Sequence, residues 1–358
     1  MGIETSFWRG RRVLVTGHTG FKGAWLALWL ERLGAEVTGL GLAPERADGA
    51  YPALGPWPAL DSHEVDVRDA GAVRRVVEQA EPEVVFHLAA QAIVRRGLAD
   101  PVGTFATNVL GTAHVLAAAS AAAPAVRSVV VVTSDKVYRN RGDGRAFTED
   151  DELGGDDPYS ASKAAAELAV ASWRQSFVDR EKCGLATARA GNVIGGGDTG
   201  EDRLLVDARD ALRNGQPLLL RRPEAERPWQ FVLEPLAGYL LLAERLDADP
   251  VSAAPALNFG PTATAALSVR ELAERVFARW GSGRWAPAGA ADVERAAVES
   301  SVLRVDAGRA NEILGWRSRL DVDTALAWTV EWWRAAQTGA SLRALALRQI
   351  AEYEALLA

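Results

Sequence analysis

The stretch from Arg11 to Leu40 constrains the fold more than any other part of the chain. Arg11-Arg-Val-Leu-Val-Thr16 reads as a short buried strand, Ala24 to Leu33 as a helix, and Ala35-Glu-Val-Thr-Gly-Leu40 as a second strand. Between the first strand and the helix stand Gly17, Gly20 and Gly23, in the spacing GxxGxxG. Glycines there let the backbone approach a pyrophosphate, and the unpaired amides of a helix N-terminus favour an anion. Three isolated glycines would fit a plain tight turn equally well. At the first strand–helix junction of a βαβ pattern they mark a dinucleotide-binding turn, with Gly17, Thr19, Gly20, Phe21, Lys22 and Gly23 as its contacts.

The remaining strands extend this pattern. Asp66-Val67 follows His63-Glu-Val at the end of a third strand. Two readings stand for Asp66: a contact to an adenine amino group, or a cap for a helix from Ala70 to Ala80. Pro82 to Gln91 gives the fourth strand and its exit, where Leu88, Ala89, Ala90 and Gln91 let the chain pass close to a cofactor. His87 reads as a packed strand residue. Pro101 to Ala123 reads as a long helix carrying Asn108, which either binds a backbone carbonyl or satisfies its neighbours. Val129-Val-Val-Val is a buried fifth strand, too short for a helix, and it delivers Thr133, Ser134, Asp135 and Lys136. In an open parallel sheet, chemistry collects at the carboxyl ends of such strands.

A second helix opens at Asp157-Pro158 and carries Tyr159 and Lys163, four apart and therefore on one face. A cation beside a phenol favours the phenolate, which makes tyrosine a usable base near neutral pH. Leu185 to Asp198 is a sixth strand running into a glycine-rich loop. Beyond it, Arg221, Arg222 and Arg227 beside Trp229 suit a nucleotide diphosphate, although a solvated charged loop would read the same. Helices are expected at about 235–246, 269–280 and 322–336. Trp328 and Trp332 share a face that reads as core, and Ser341 to Leu356 is a docked cap or an oligomer contact.

Composition narrows the function class. The 358 residues carry a formal charge of −7 and 48% hydrophobic residues, which excludes a general nucleic-acid binder. No run of eighteen apolar residues appears, so no membrane partner is expected. One cysteine, Cys183, suits the cytoplasm, and four scattered histidines give no metal site. The 40 basic residues include only the lysines 22, 136, 163 and 182. Lysine, unlike arginine, readily loses its proton when buried, and three of these four fall in the motifs above.

Thr16-Gly-His-Thr-Gly-Phe-Lys-Gly23, Tyr159-x-x-x-Lys163 and the βαβ order resemble the extended short-chain dehydrogenase/reductase family, over nearly the whole chain. Phe7-Trp8, Thr133-Ser-Asp-Lys-Val-Tyr138, Arg189-Ala-Gly-Asn-Val-Ile-Gly-Gly-Gly-Asp198 and Arg227-Pro-Trp-Gln-x-Val-Leu-Glu-Pro-Leu236 resemble its nucleotide-sugar dehydratase branch. The resemblance implies an α/β, Rossmann-like doubly wound parallel sheet over residues 1–190. It also implies a smaller substrate-binding lobe over 191–358, with about 225–260 returning to the sheet. NAD is the implied cofactor, with Asp66, Val67, Asn108, Tyr159 and Lys163 among its contacts. CDP-glucose is the implied substrate, and a homodimer or homotetramer the implied assembly. Tyr159 with Lys163 would take the 4-hydroxyl proton, Thr133 would bond that hydroxyl, Asp135 would be the acid at O6 and Lys136 the base at C5. Asn192, Arg203, Leu204, Arg227 and Trp229 would hold the nucleotide sugar. Two departures stand out: Phe231 replaces a usual histidine, and no acid ends the second strand. Glu45 comes late for the ribose and Arg46 suits a 2′-phosphate, so NAD against NADP stays open. An epimerase or reductase using only Tyr159 and Lys163, a non-catalytic dinucleotide sensor and a scaffold are the competing classes.

Overall fold

The computed structural model describes residues 2–122, 125–251, 253–261, 266–289 and 303–357. Among the described residues, seven strands form one parallel sheet. They include β1 (Arg12–Thr16), β2 (Glu36–Gly41), β3 (Asp61–Glu64), β4 (Val84–His87), β5 (Ser128–Val132) and β6 (Gly184–Ala190). The seventh, Ala256–Phe259, lies outside β6, and the order across the sheet runs on through β5, β4, β1 and β2 to β3. The order reverses between β1 and β4, which opens a crevice at the carboxyl ends of those strands.

Burial explains the strand chemistry. Every residue of β4, β5 and β6 is buried, as expected for strands covered on both faces. β3 is polar and mostly exposed, which keeps this edge from pairing with another chain. On one face the helix Phe21–Leu33 buries Trp25, Trp29 and five of its alanines and leucines, namely Ala24, Leu26, Ala27, Leu28 and Leu30, completely or nearly so. On the other, the helices Ala70–Ala80, Gly111–Ala121 and Pro158–Ser176 cover the valines of the sheet.

The long helix starting at Pro101 carries a π-helical turn at Ala106–Leu110 and runs to Ala121. Its expected end at Ala123 lies outside the described residues. The helix expected at 235–246 extends over Leu233–Ala248 and packs against β5 and β6. Phe231 is fully buried, edge-on to Trp25 and Trp328, so the residue that departs from the family pattern is core. Trp332 stacks near Trp25 with ring centroids 5.5 Å apart, in agreement with the core reading of that face.

The terminal helix Leu342–Leu357 is a docked cap. Its Tyr353 hydroxyl donates to Glu234 (2.8 Å), and Glu354 accepts from the Trp29 indole (2.9 Å). Glu234 is fully buried and also accepts the amides of Arg319 and Leu320 at 2.8 and 2.6 Å. One carboxylate thus ties the 319–320 loop and the last helix to the helix behind the sheet. Glu234→Ala should cost about 3 kcal/mol, since bonds to a buried carboxylate are worth ~1.5–3 kcal/mol each and their loss is less than additive. A thermal melt should show the loss, while turnover per folded molecule stays near wild type.

Candidate active site

The cofactor cradle follows from two glycines that no other residue could replace. Gly17 has φ +73°, and a Cβ there would lie 2.7 Å from the Ala89 nitrogen. At Gly23 a Cβ would lie 2.1 Å from the Gly17 oxygen. β1, its turn and the exit of β4 therefore touch backbone to backbone. Gly20 N–H bonds the Gly17 carbonyl and Ala24 N–H the Gly20 carbonyl, which leaves the amides of Phe21, Lys22 and Gly23 for an anion. The residues present fit a dinucleotide pyrophosphate.

The end of β2 departs from the usual ribose site for a physical reason. The His18 ring lies where side chains of Gly39 or Gly41 would project; a Cβ on Gly39 would come within 2.5 Å of it. His18 Nε2 bonds the Ser62 hydroxyl at 2.7 Å, and burial lowers its pKa. Neither later candidate stands free: Glu45 pairs with both terminal nitrogens of Arg96 (2.6 and 3.0 Å), and Arg46 pairs with Asp48.

Asp66 and Val67 sit just past β3. Asp66 holds the Arg68 guanidinium and amide, and the helix cap is Asp69, which accepts from Ala72 N–H at 2.9 Å. The capping alternative for Asp66 is thus corrected: the cap must stand directly before the first helical residue, Ala70. Leu88, Ala89, Ala90 and Gln91 line the exit of β4, half-buried. Asn108, in the π-helical turn, bonds the Gln91 amide (2.8 Å) and carbonyl (2.9 Å) and the Ser162 hydroxyl (2.9 Å). It satisfies its neighbours, bracing the β4 exit against the helix that carries Tyr159. His87 is packed between the hydroxyls of Thr16 and Thr112, and burial pushes its pKa down to about 3.

The reactive groups converge past β5. Thr133, Ser134, Asp135, Tyr159 and Lys163 are all buried there, with Lys136 half-buried. Ser134 starts a single 3₁₀ turn at Asp135–Val137, and its hydroxyl accepts from the Lys136 amide. The catalytic helix Pro158–Ser176 begins with Asp157 accepting the Ser160 amide and proline at its first position. Asp135 packs on Gly191 so closely that a Cβ there would lie 1.7 Å from Oδ2. Its Oδ1 accepts from Ser134, and burial raises its pKa against the pull of Lys136, Arg227 and Lys22.

Burial dominates the Tyr159–Lys163 pair as well. The phenol is pushed up to about 12 and the amine down to about 8. The expected depression of the phenol by Lys163 is absent, because the ammonium points at the Val132 carbonyl, 3.1 Å away. Lys22 joins the same group: burial, Lys163 and Arg203 lower it to about 7, and its amine lies 3.4 Å from the Tyr239 hydroxyl.

The substrate-side residues border this centre. Asn192 has φ +29° at the end of β6, directly after the glycine that Asp135 requires. Arg203 pairs with both oxygens of Asp198 at 2.8 Å and precedes the helix Leu204–Asn214. Arg227 lies in the short strand Glu226–Pro228, and Trp229 is buried, its indole donating to the Leu267 carbonyl. Sequence reasoning gave no role to Ser134, Gly191 and Glu167; Ser134 acts on the adjoining Asp135, and the other two through a neighbour on another element.

A glycine-cradled crevice beside a buried tyrosine–lysine pair defines a dinucleotide-dependent enzyme acting on a hydroxyl-bearing substrate. The chain belongs to the NAD dependent epimerase/dehydratase family, whose model matches residues 13–258. It is 38% identical over 357 residues to a CDP-glucose 4,6-dehydratase of Salmonella typhimurium, covering 98% of each chain. A UDP-glucose 4-epimerase of Mycolicibacterium smegmatis is 28% identical over 330 residues, 90% of this chain and 98% of that one. Among solved structures, a double mutant of the dTDP-glucose 4,6-dehydratase DesIV from Streptomyces venezuelae, with NAD bound, superposes with a TM-score of 0.76. It is 25% identical and covers 93% of this chain and 99% of that chain.

Gly23→Ala should weaken NAD binding by at least about tenfold, or ~1.4 kcal/mol, because the added methyl must displace the turn. Calorimetry would read this directly, and wild-type affinity would contradict the cradle.

Proposed function

We propose that the protein is an NAD-dependent CDP-glucose 4,6-dehydratase. It would convert CDP-glucose to CDP-4-keto-6-deoxyglucose in deoxysugar biosynthesis. The observation that carries this reading is Asp135, a buried carboxyl with raised pKa at the end of β5, followed directly by Lys136 and near enough to Tyr159 for its charge to raise that phenol. Oxidation at one carbon needs only a tyrosine and a lysine; elimination of water needs a further acid and base.

Tyr159 takes the proton of the sugar 4-hydroxyl, which Thr133 bonds, and Lys163 supplies the adjacent cation. NAD, held by the Gly17–Gly23 turn, would supply the acceptor for the C4 hydride and its source at C6. The 4-ketone acidifies the C5 hydrogen, which Lys136 removes as a proton and gives back to C5 when hydride reaches C6. Asp135 protonates the departing 6-hydroxyl, and burial, by raising its pKa, favours the acid form that this donation needs. Residues 17–23, Asp66, Val67, 88–91 and Asn108 form the cofactor site or brace it. Asn192, Arg203, Leu204, Arg227 and Trp229 hold the nucleotide sugar from residues beyond 190, with 225–260 returning to the sheet domain. The 38% identity to a CDP-glucose enzyme supports CDP as the nucleotide.

The protein acts as a cytoplasmic homo-oligomer, a dimer or tetramer. Val102, Phe105, Leu110 and Leu168 are 78, 39, 56 and 63% exposed on two neighbouring helices, an apolar surface that association would cover. Leu168→Glu should shift the mass measured by light scattering towards the monomer, with the fold intact by circular dichroism.

Incubation with CDP-glucose and catalytic NAD should give a product lighter by one water, without net NADH. Asp135→Asn and Lys136→Ala should each lower turnover by about 10²–10⁴, while cofactor reduction by substrate persists. Oxidised sugar with stoichiometric NADH, or full activity in both variants, would overturn the dehydratase in favour of a dehydrogenase or epimerase.

A further inference from the structure

One buried carboxylate stands beneath the reacting groups without a place in the scheme above. Glu167 is one helical turn beyond Lys163 on the catalytic helix, and its side chain is 4% exposed. Its Oε1 accepts from the Thr133 hydroxyl (2.5 Å) and from Arg189 Nε (3.0 Å). Its Oε2 accepts from the Thr187 hydroxyl (2.8 Å) and from Arg189 Nη2 (2.7 Å). Arg189 in turn donates to the Tyr138 hydroxyl (2.9 Å), which donates to Asn258 (2.6 Å). The end of β5, the end of β6 and the catalytic helix therefore meet on one carboxylate.

Stability alone is a weak reason for this arrangement. A buried ion pair loses in desolvation about what it gains in attraction, and an apolar pair of similar volume often serves as well. What an apolar pair cannot do is orient a hydroxyl or set a charge. A threonine hydroxyl has one hydrogen to give. With that hydrogen on Glu167, Thr133 has only lone pairs left for the cleft. Burial, moreover, lowers the Lys163 pKa to about 8, and Glu167 is the group that opposes this fall. Lys163 itself lowers the pKa of Lys22, from the helix Phe21–Leu33, and of His87, from β4, and neither is an anion that could support its cation.

We propose that Glu167 is a positioning residue: it fixes Thr133 as a hydrogen-bond acceptor towards the sugar 4-hydroxyl and sustains the Lys163 cation beside Tyr159. This rests on the dehydratase reading, whose oxidation step uses both side chains. Thr133 then draws the 4-hydroxyl into line without giving up a proton, and the proton released at C4 goes to Tyr159 alone.

The sign of the expected pH effect follows from charge. Removing the carboxylate withdraws support from an ammonium, so Lys163 deprotonates at lower pH. In the double variant Glu167→Gln/Arg189→Met, which leaves no unpaired guanidinium, the alkaline limb of kcat/KM for CDP-glucose should move down by about one pH unit. The kcat should fall about tenfold, with KM within about twofold of wild type. A residue that only supports the fold would lower the melting temperature and scale activity equally at every pH, so an unshifted profile in an active double variant overturns the proposal.

The double variant could lose its fold, so the hydrogen bond is also read on the wild-type holoenzyme by proton NMR. The Thr133 hydroxyl should give a slowly exchanging downfield resonance, absent in Thr133→Val and retained when CDP-glucose is added. No such resonance, or its loss on adding substrate, overturns the acceptor role. Failure of the wild type to dehydrate CDP-glucose would instead defeat the assigned function, while the free enzyme's resonance would remain.

Discussion

Desolvation at the carboxyl end of β5 governs this molecule. Five all-buried residues lead the chain to that end, and two layers of helices exclude water around it. Neutral forms gain there and charged forms lose. Asp135 moves up, Tyr159 moves up to about 12, and Lys163 and Lys22 move down to about 8 and 7. Such a centre favours the acid form of a carboxyl and the neutral form of its amines. Those are the two kinds of group that an elimination at neutral pH requires.

The same constraint accounts for the packing around the site. A buried carboxyl needs close, defined neighbours, and Asp135 obtains them because Gly191 has no side chain to displace it. The dinucleotide cradle works by the same economy of volume, with Gly17 against Ala89 and Gly23 against Gly17. Glu167 is the exception that remains charged-partnered in the core, with four hydrogen bonds from three side chains. Its saturation is what makes burial tolerable.

Much of this was legible in the sequence because the signals were local. Glycines 17, 20 and 23 sit within one turn, Val129 to Val132 form one strand, and Tyr159 and Lys163 share a helix face by spacing alone. The fold class and the placement of Thr133 to Lys136 follow from such short-range patterns. Orientation did not follow. That Lys163 turns to the Val132 carbonyl, leaving Tyr159 to the effect of burial, depends on packing between elements. The Glu167–Arg189 pair joins residues on a helix and a strand, and nothing in either segment names the other. Asp66 and Asp69 both precede the same helix, and adjacency to Ala70 is what makes Asp69 the cap.

The central claim is that one site removes hydride from C4, eliminates water and restores the same hydride at C6. Its most direct test is CDP-glucose deuterated at C4, incubated with the protein and unlabelled NAD, with the product examined by NMR. Deuterium at C6 of a 4-keto-6-deoxy sugar is the predicted result. Deuterium released into NADH, or retained at C4 of an epimerised sugar, would contradict it.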